Sequence, residues 1–171
     1  FNPGGSVKDR TALFMIQEAE RQGLLKKGGT IVEASSGNQG IALAMIGAIK
    51  GYKVIITVPS RTSVEKVSAA RAYGAQVIVC QDNTGNNDGK DYCSMAVKLE
   101  KEISGAYRPN QYFNRANSMA HYQTTGPEIW EQTDGKITHL FLAAGSCGTI
   151  AGVGKFLKEK NSKIKIVGID A

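Results

Sequence analysis

Apolar and polar positions change period along this chain, from the 3.6-residue spacing of helices to short apolar runs and back. VKDRTALFMIQEAERQGLL carries Ala12, Leu13, Ile16 and Ala19 on one helical face, and Gly23 suits the left-handed residue past a helix end. TIVEA reads as a buried strand. GNQGIALAMIGAIKG is apolar on nearly every side, which predicts a buried helix. KVIITV is a strand that stops at Pro59. SVEKVSAARAYG is a helix with Ser63 as a candidate N-cap and Lys66 in place of a capping-box acid. AQVIVC is a strand, and QDNTGNNDGKD has the composition of a loop. YCSMAVKLEKEI is a helix and YRPNQYF a short extended stretch. NSMAHYQTTGPEIWEQT predicts a helix in two parts, broken near Gly126-Pro127. THLFLAA, GTIAGVGKFLKEK and KIKIVGID complete the chain as strand, helix and strand.

Five or six strands alternating with helices predict an α/β fold with parallel strands and right-handed crossovers. Such folds bind ligands at the carboxyl ends of their strands. The 171 residues suffice for one domain or parts of two, with a globular 42% hydrophobic and 21% charged residues. No apolar run approaches the roughly 20 residues that span a bilayer, and no signal-peptide pattern stands at the start, so no membrane partner is expected. The net charge of +6 comes from scattered lysines, which favours a solvated surface over a nucleic-acid footprint. Cys80, Cys93 and Cys147 are odd in number and form no CxxC pair, and His121 and His139 lie far apart. No metal site or disulfide framework is expected, and a reducing cytoplasm fits.

Three glycine-rich segments fall at the starts of helices: NPGGSVKDR, ASSGNQG and AAGSCGT. The last follows a strand and opens a helix, whose free N–H groups and dipole suit an anion. Gly145 and Gly148 permit close approach, and Ser146 and Thr149 add hydroxyls, so phosphate is the natural guest. The pattern is neither a Walker loop nor GxGxxG, which disfavours a Rossmann-like nucleotide binder. ASSGNQG brings hydroxyls, a glycine and an amide to a helix start. It suits a carboxylate, unless Ser36 or Asn38 merely caps the helix. Lys8 sits where the helix dipole disfavours a cation. That field and burial would lower its pKa and free the amine for reaction with a carbonyl; the plain alternative is a solvated lysine paired with Asp9 or Glu33.

NPGGSVKDR, SGNQGIALA and GSCGTIAG, in this order, resemble the fold-type II pyridoxal-phosphate enzymes of the cysteine synthase and cystathionine beta-synthase branch. GYKVIITVP, RAYGAQV and TTGPEIWEQTDGK extend the resemblance over essentially the whole chain. It implies three-layer α/β/α parallel sheets in a two-domain fold, with a smaller domain at 1–113 and an incomplete part of the larger at 114–171. The chain is then expected to be a central fragment, short at both ends, whose final strand KIKIVGID leaves an edge that favours self-association. The implied cofactor is pyridoxal 5'-phosphate. Lys8 would be its lysine and the catalytic base, Asn38 would bond its ring oxygen, and Gly145, Ser146, Cys147, Gly148 and Thr149 would hold its phosphate. Ser35, Ser36, Gly37 and Gln39 would take the substrate carboxylate with Gln111. Tyr112 either bonds a hydroxyl of a substrate or only packs its ring.

The implied reaction is β-replacement on serine or an O-activated serine by a thiol or sulfide, in a cytoplasmic homodimer. The alternative is a catalytically inactive fragment or binding protein of the same fold. The chain departs from the family pattern at Ser35, where threonine is usual. At Gln39 the side chain is lengthened toward substrate. At Cys147 a glycine position gains a side chain and calls for negative φ or a shifted loop. The family's partner for the pyridine nitrogen lies beyond Ala171.

Overall fold

The computed structural model describes residues 1–81 and 91–170. Residues 82–90, where most of the QDNTGNNDGKD loop is expected, and Ala171 lie outside the described residues. The chain divides into two compact units, Phe1–Asn110 and Gln111–Ala171. The change of unit comes earlier than the expected 113/114. Asn110 donates its backbone N–H to Glu33 Oε2 at 2.8 Å, within the first unit. The next residue, Gln111, offers its carbonyl to Asn117 Nδ2 at 2.8 Å, within the second. Asn110 takes the left-handed conformation between these two attachments, with φ of 53°.

The first unit runs α1 (Lys8–Arg21), β1 (Thr30–Ala34), α2 (Asn38–Lys50), β2 (Lys53–Pro59), α3 (Val64–Ala72), β3 (Gln76–Cys80) and α4 (Tyr92–Glu102). Its strands pair in parallel in the order β1-β2-β3, with Ile31 opposite Val54 and Ile56 opposite Val77. Parallel neighbours need a crossover, which α2 and α3 supply. Strand side chains alternate between faces. Val54, Ile56 and Val58 meet Ala42, Leu43 and Met45 of α2 in the core. Thr57, on the other face, donates to the Tyr92 carbonyl of α4 at 2.6 Å. Helices therefore cover both faces of the sheet. Helix α2 is apolar all round because Ala12 and Ile16 of α1 join the same core from its far side.

Local chemistry explains the ends of these elements. Asp91 caps α4, accepting from the Cys93 and Ser94 N–H groups at 2.9 and 3.1 Å. Ser63 holds the N-cap position of α3 but makes no side-chain cap bond. YRPNQYF is not a strand. Only Tyr107 joins the sheet, in a single parallel bridge to Ile31, and Pro109 has no N–H with which to continue a ladder.

The second unit runs α5 (Ala116–Ala120), a π-helical segment (His121–Thr125), α6 (Gly126–Gln132), β4 (His139–Ala143), α7 (Gly148–Lys160) and β5 (Lys165–Ile169). Strands β4 and β5 are parallel, joined by α7, and Leu140, Val153, Leu157 and Ile164 form the core. The helix divides near Gly126-Pro127 as expected: the π segment ends at Thr125, the Gly126 N–H reaches the His121 carbonyl in a π turn, and Gly126 and Pro127 open α6. Proline lacks an N–H, and the wider turn before it accommodates the missing bond.

Candidate functional site

Lys8 is the first residue of α1. The turn before it closes through the Gly5 N–H to the Asn2 carbonyl at 2.9 Å. Asp9, buried in the first turn of α1, accepts the Gly4 N–H at 2.6 Å and ties this turn to the helix. A side chain at residue 4 would place Cβ 2.5 Å from Asp9 Oδ1 and would displace the carboxylate that holds this turn. Burial pushes the Lys8 amine below the ordinary lysine range, and the nearby Glu33 carboxylate partly opposes that shift. Glu33 is itself buried in β1. Of the two carboxylates that the sequence offered as partners, Glu33 is the one that acts on Lys8, while Asp9 is turned to the backbone.

The ASSGNQG segment joins β1 to α2. Gly37 is the N-cap residue and no side chain caps the helix from that position, so neither Ser36 nor Asn38 serves as the cap. The buried Ser35 does related work: its Oγ accepts from the Gly40 N–H at 3.0 Å and from the Gly37 N–H at 3.3 Å. Ser36 and Asn38 are exposed and Gly37 is half-buried at the start of α2. Gln39 departs from expectation. Its side chain is 2% exposed, accepts from the Thr11 hydroxyl at 2.9 Å and donates to Met15 Sδ at 3.6 Å. The second residue of α2 faces α1, which draws the amide into the helix interface and away from a substrate-facing position.

In the second unit the AAGSCGT segment leads from β4 into α7. Cys147 is the N-cap and makes no side-chain cap bond, which leaves the first N–H groups of α7 as anion donors. Of the alternatives at Cys147, negative φ or a shifted loop, the first is not met: φ is +59°, the conformation a glycine would take. A non-glycine residue in this left-handed conformation is strained, and the exposed Cys147 thiol lies 3.6 Å from the Gly145 carbonyl. Cys147→Gly should therefore raise stability by about 1 kcal/mol and keep or tighten cofactor binding. Denaturation curves and a cofactor titration on the full-length protein check this. A less stable or weaker-binding variant would give Cys147 a positive role.

Gly148 is buried against Asn117. A Cβ there would lie 2.0 Å from Asn117 Oδ1. Asn117 Nδ2 donates to Ser146 Oγ at 3.1 Å, and Thr149 Oγ1 lies 3.2 Å from His121 Nε2. Gln111 is buried with its carbonyl on Asn117, whereas Tyr112 is 61% exposed. Both line a groove of about 230 Å³ with Ser146, Cys147 and Gly148. Asn117 and His121 escaped the sequence reading; their one available signal was the four-residue spacing that puts both on one helix face.

Each unit, taken by itself, offers one kind of donor. A partly buried amine with a depressed pKa suits a carbonyl, and an uncapped helix start between two hydroxyls suits a phosphate. Among the described residues no cluster of histidine, cysteine and carboxylate side chains suits a metal ion, and no helix is long and apolar enough to cross a membrane. The chain belongs to the pyridoxal-phosphate dependent enzyme family, whose model matches residues 1–171, and its fold is that of the fold-type II enzymes. It is 49% identical over 169 residues to cystathionine beta-synthase of Apis mellifera, covering 99% of this chain and 34% of that protein. It is 48% identical over 168 residues to cysteine synthase B of Pseudomonas aeruginosa, covering 98% of this chain and 55% of the relative. The crystal structure of O-ureido-L-serine synthase superposes with a TM-score of 0.89 at 38% identity, covering 98% of this chain and 52% of that one. The chain thus spans between a third and about half of the length of these relatives.

Proposed function

We propose that the protein catalyses pyridoxal-phosphate-dependent β-replacement on serine or an O-activated serine, with a thiol or sulfide as the incoming group. The observation that carries this reading is the placement of Lys8, a half-buried amine at the first position of α1 with the Glu33 carboxylate nearby. The names of the relatives, cystathionine beta-synthase and cysteine synthase B, support the reaction class. The first unit then corresponds to the smaller domain, with the lysine and the carboxylate loop. The second corresponds to part of the larger domain, with the phosphate loop. Three unpaired cysteines accord with a reducing cytoplasm. The homodimer belongs to the same proposal.

Lys8 would hold the cofactor through Nζ, and the same amine would carry the substrate's α-proton. A lysine with a lowered pKa has the neutral amine this needs. Ser36 and the N–H groups at the start of α2 bind the substrate carboxylate, and the helix dipole favours that anion. The Gln39 contribution is confined to its backbone, because its side chain is committed to Thr11. Ser35 keeps the loop in shape through Gly37 and Gly40. The exposed amide of Asn38 would bond the cofactor's ring oxygen, and Gly145 to Thr149 would hold its phosphate. Gln111 and Tyr112 line the substrate side. The bound cofactor supplies the electron sink for the α-carbon.

The test supplies the full-length protein with pyridoxal phosphate, serine or O-acetylserine, and either homocysteine or sulfide. The expected result is a yellow protein that forms cystathionine or cysteine. A colourless protein, or a yellow one that forms neither product, overturns the proposal.

A further inference from the structure

His121 has no exposed surface and is used by none of the steps above. Both of its ring nitrogens face hydroxyls, with Nδ1 2.9 Å from Thr125 Oγ1 and Nε2 3.2 Å from Thr149 Oγ1. A flipped ring would turn carbon atoms toward both hydroxyls, so these two distances set its orientation. Two features of the backbone produce the arrangement. The π turn from His121 to Thr125 spaces the histidine and its hydroxyl partner on one side of the helix. Gly152 then lets α7 press close, since a Cβ there would lie 2.1 Å from the Ser118 carbonyl and 2.8 Å from His121 Cβ. Thr149, one turn before Gly152 on α7, is thereby carried to the imidazole.

We propose that His121 is a positioning residue for the anion loop: its Nε2–H donates to Thr149 Oγ1 and leaves the Thr149 hydroxyl proton for bound phosphate. The inference rests on the phosphate role of Gly145 to Thr149 given above. A neutral imidazole has one N–H. Were it on Nδ1, Nε2 would accept the Thr149 proton, and Thr149 would turn only lone pairs toward a doubly charged phosphate. With the proton on Nε2, Thr125 donates to Nδ1 and every hydrogen bond along the line Thr125–His121–Thr149–phosphate points toward the anion. Asn117, one turn before His121, acts in the same sense on the other loop hydroxyl. Its Nδ2 can only donate, so Ser146 Oγ accepts there and directs its own proton elsewhere.

The test uses full-length protein freed of cofactor and has two readouts besides turnover. Nitrogen-15 NMR of the imidazole should place the proton on Nε2, and a proton on Nδ1 overturns the proposal even if no variant folds. The second readout compares the affinity for pyridoxal phosphate with that for pyridoxal. His121→Leu should weaken pyridoxal phosphate about tenfold and leave pyridoxal unchanged, because hydrogen bonds to charged groups are the strong ones. His121→Gln, whose amide can donate from near the Nε2 position, should recover most of the loss. Equal weakening of both compounds by His121→Leu would show a merely structural role and overturn the proposal. Unsubstituted protein that binds pyridoxal phosphate no tighter than pyridoxal would instead remove the phosphate reading beneath it, an outcome distinct from either.

Discussion

Lys8→Ala in the full-length protein is expected to abolish the covalent adduct that borohydride traps between protein and pyridoxal phosphate. The loss should be complete, since the adduct requires a primary amine at that position. Burial favours the uncharged amine, and the positive end of α1 acts in the same direction. Only the uncharged amine attacks a carbonyl. Attachment should therefore rise with pH through a midpoint below that of an exposed lysine. Glu33 acts with the opposite sign, because its carboxylate favours the ammonium form. Glu33→Gln should accordingly move the midpoint lower still. Peptide mapping of the reduced adduct reads the site, and a pH series on the unsubstituted protein reads the midpoint. An adduct that survives Lys8→Ala would assign the chemistry to another lysine.

The second large effect is expected from Gly152→Ala. Helix α7 crosses α5 and the π segment so closely that an added Cβ would meet the Ser118 carbonyl oxygen at 2.1 Å and the Tyr122 nitrogen at 2.8 Å. Backbone atoms on a packed helix cannot swing aside as a side-chain tip can. Overpacking of this kind costs about 3 kcal/mol, offset by about 1 kcal/mol for the better helix propensity of alanine. The net expectation is a loss of about 2 kcal/mol. Gly154→Ala is the internal control. It lies on the same helix, but its Cβ would meet only Ile166 side-chain atoms at 3.5 Å and beyond. That variant should be neutral or slightly stabilised by helix propensity. Thermal denaturation of the two variants side by side decides the matter, and equal stability would refute the close crossing. Gly152→Ala should also loosen Thr149 from His121 and so weaken phosphorylated ligands more than unphosphorylated ones.

The order and kind of elements were legible in the sequence because each rests on local information. TIVEA, AQVIVC and GTIAGVGKFLKEK fall within a residue or two of β1, β3 and α7, where apolar runs and helical spacing agree with turn residues on either side. GNQGIALAMIGAIKG announced its burial by having no polar face, and α2 is buried between α1 and the sheet. The three glycine-rich segments were legible as the approaches to helices, and they lead into α1, α2 and α7, because turn glycines before a helical pattern are local information. What the tertiary structure alone decided is where individual side chains point. Gln39 sits in a ligand-binding segment by sequence but turns into the α1–α2 interface, since its position on α2 faces Thr11 and Met15. Cys147 keeps a left-handed φ because the turn into α7 imposes it at the expense of local preference. Asn117 and His121 meet Ser146 and Thr149 only because α7 packs against their helix at Gly152, across some thirty intervening residues. Periodicity encodes which face of an element is apolar; it carries no record of which distant hydroxyl a buried imidazole will meet, because that depends on packing between elements far apart in the chain.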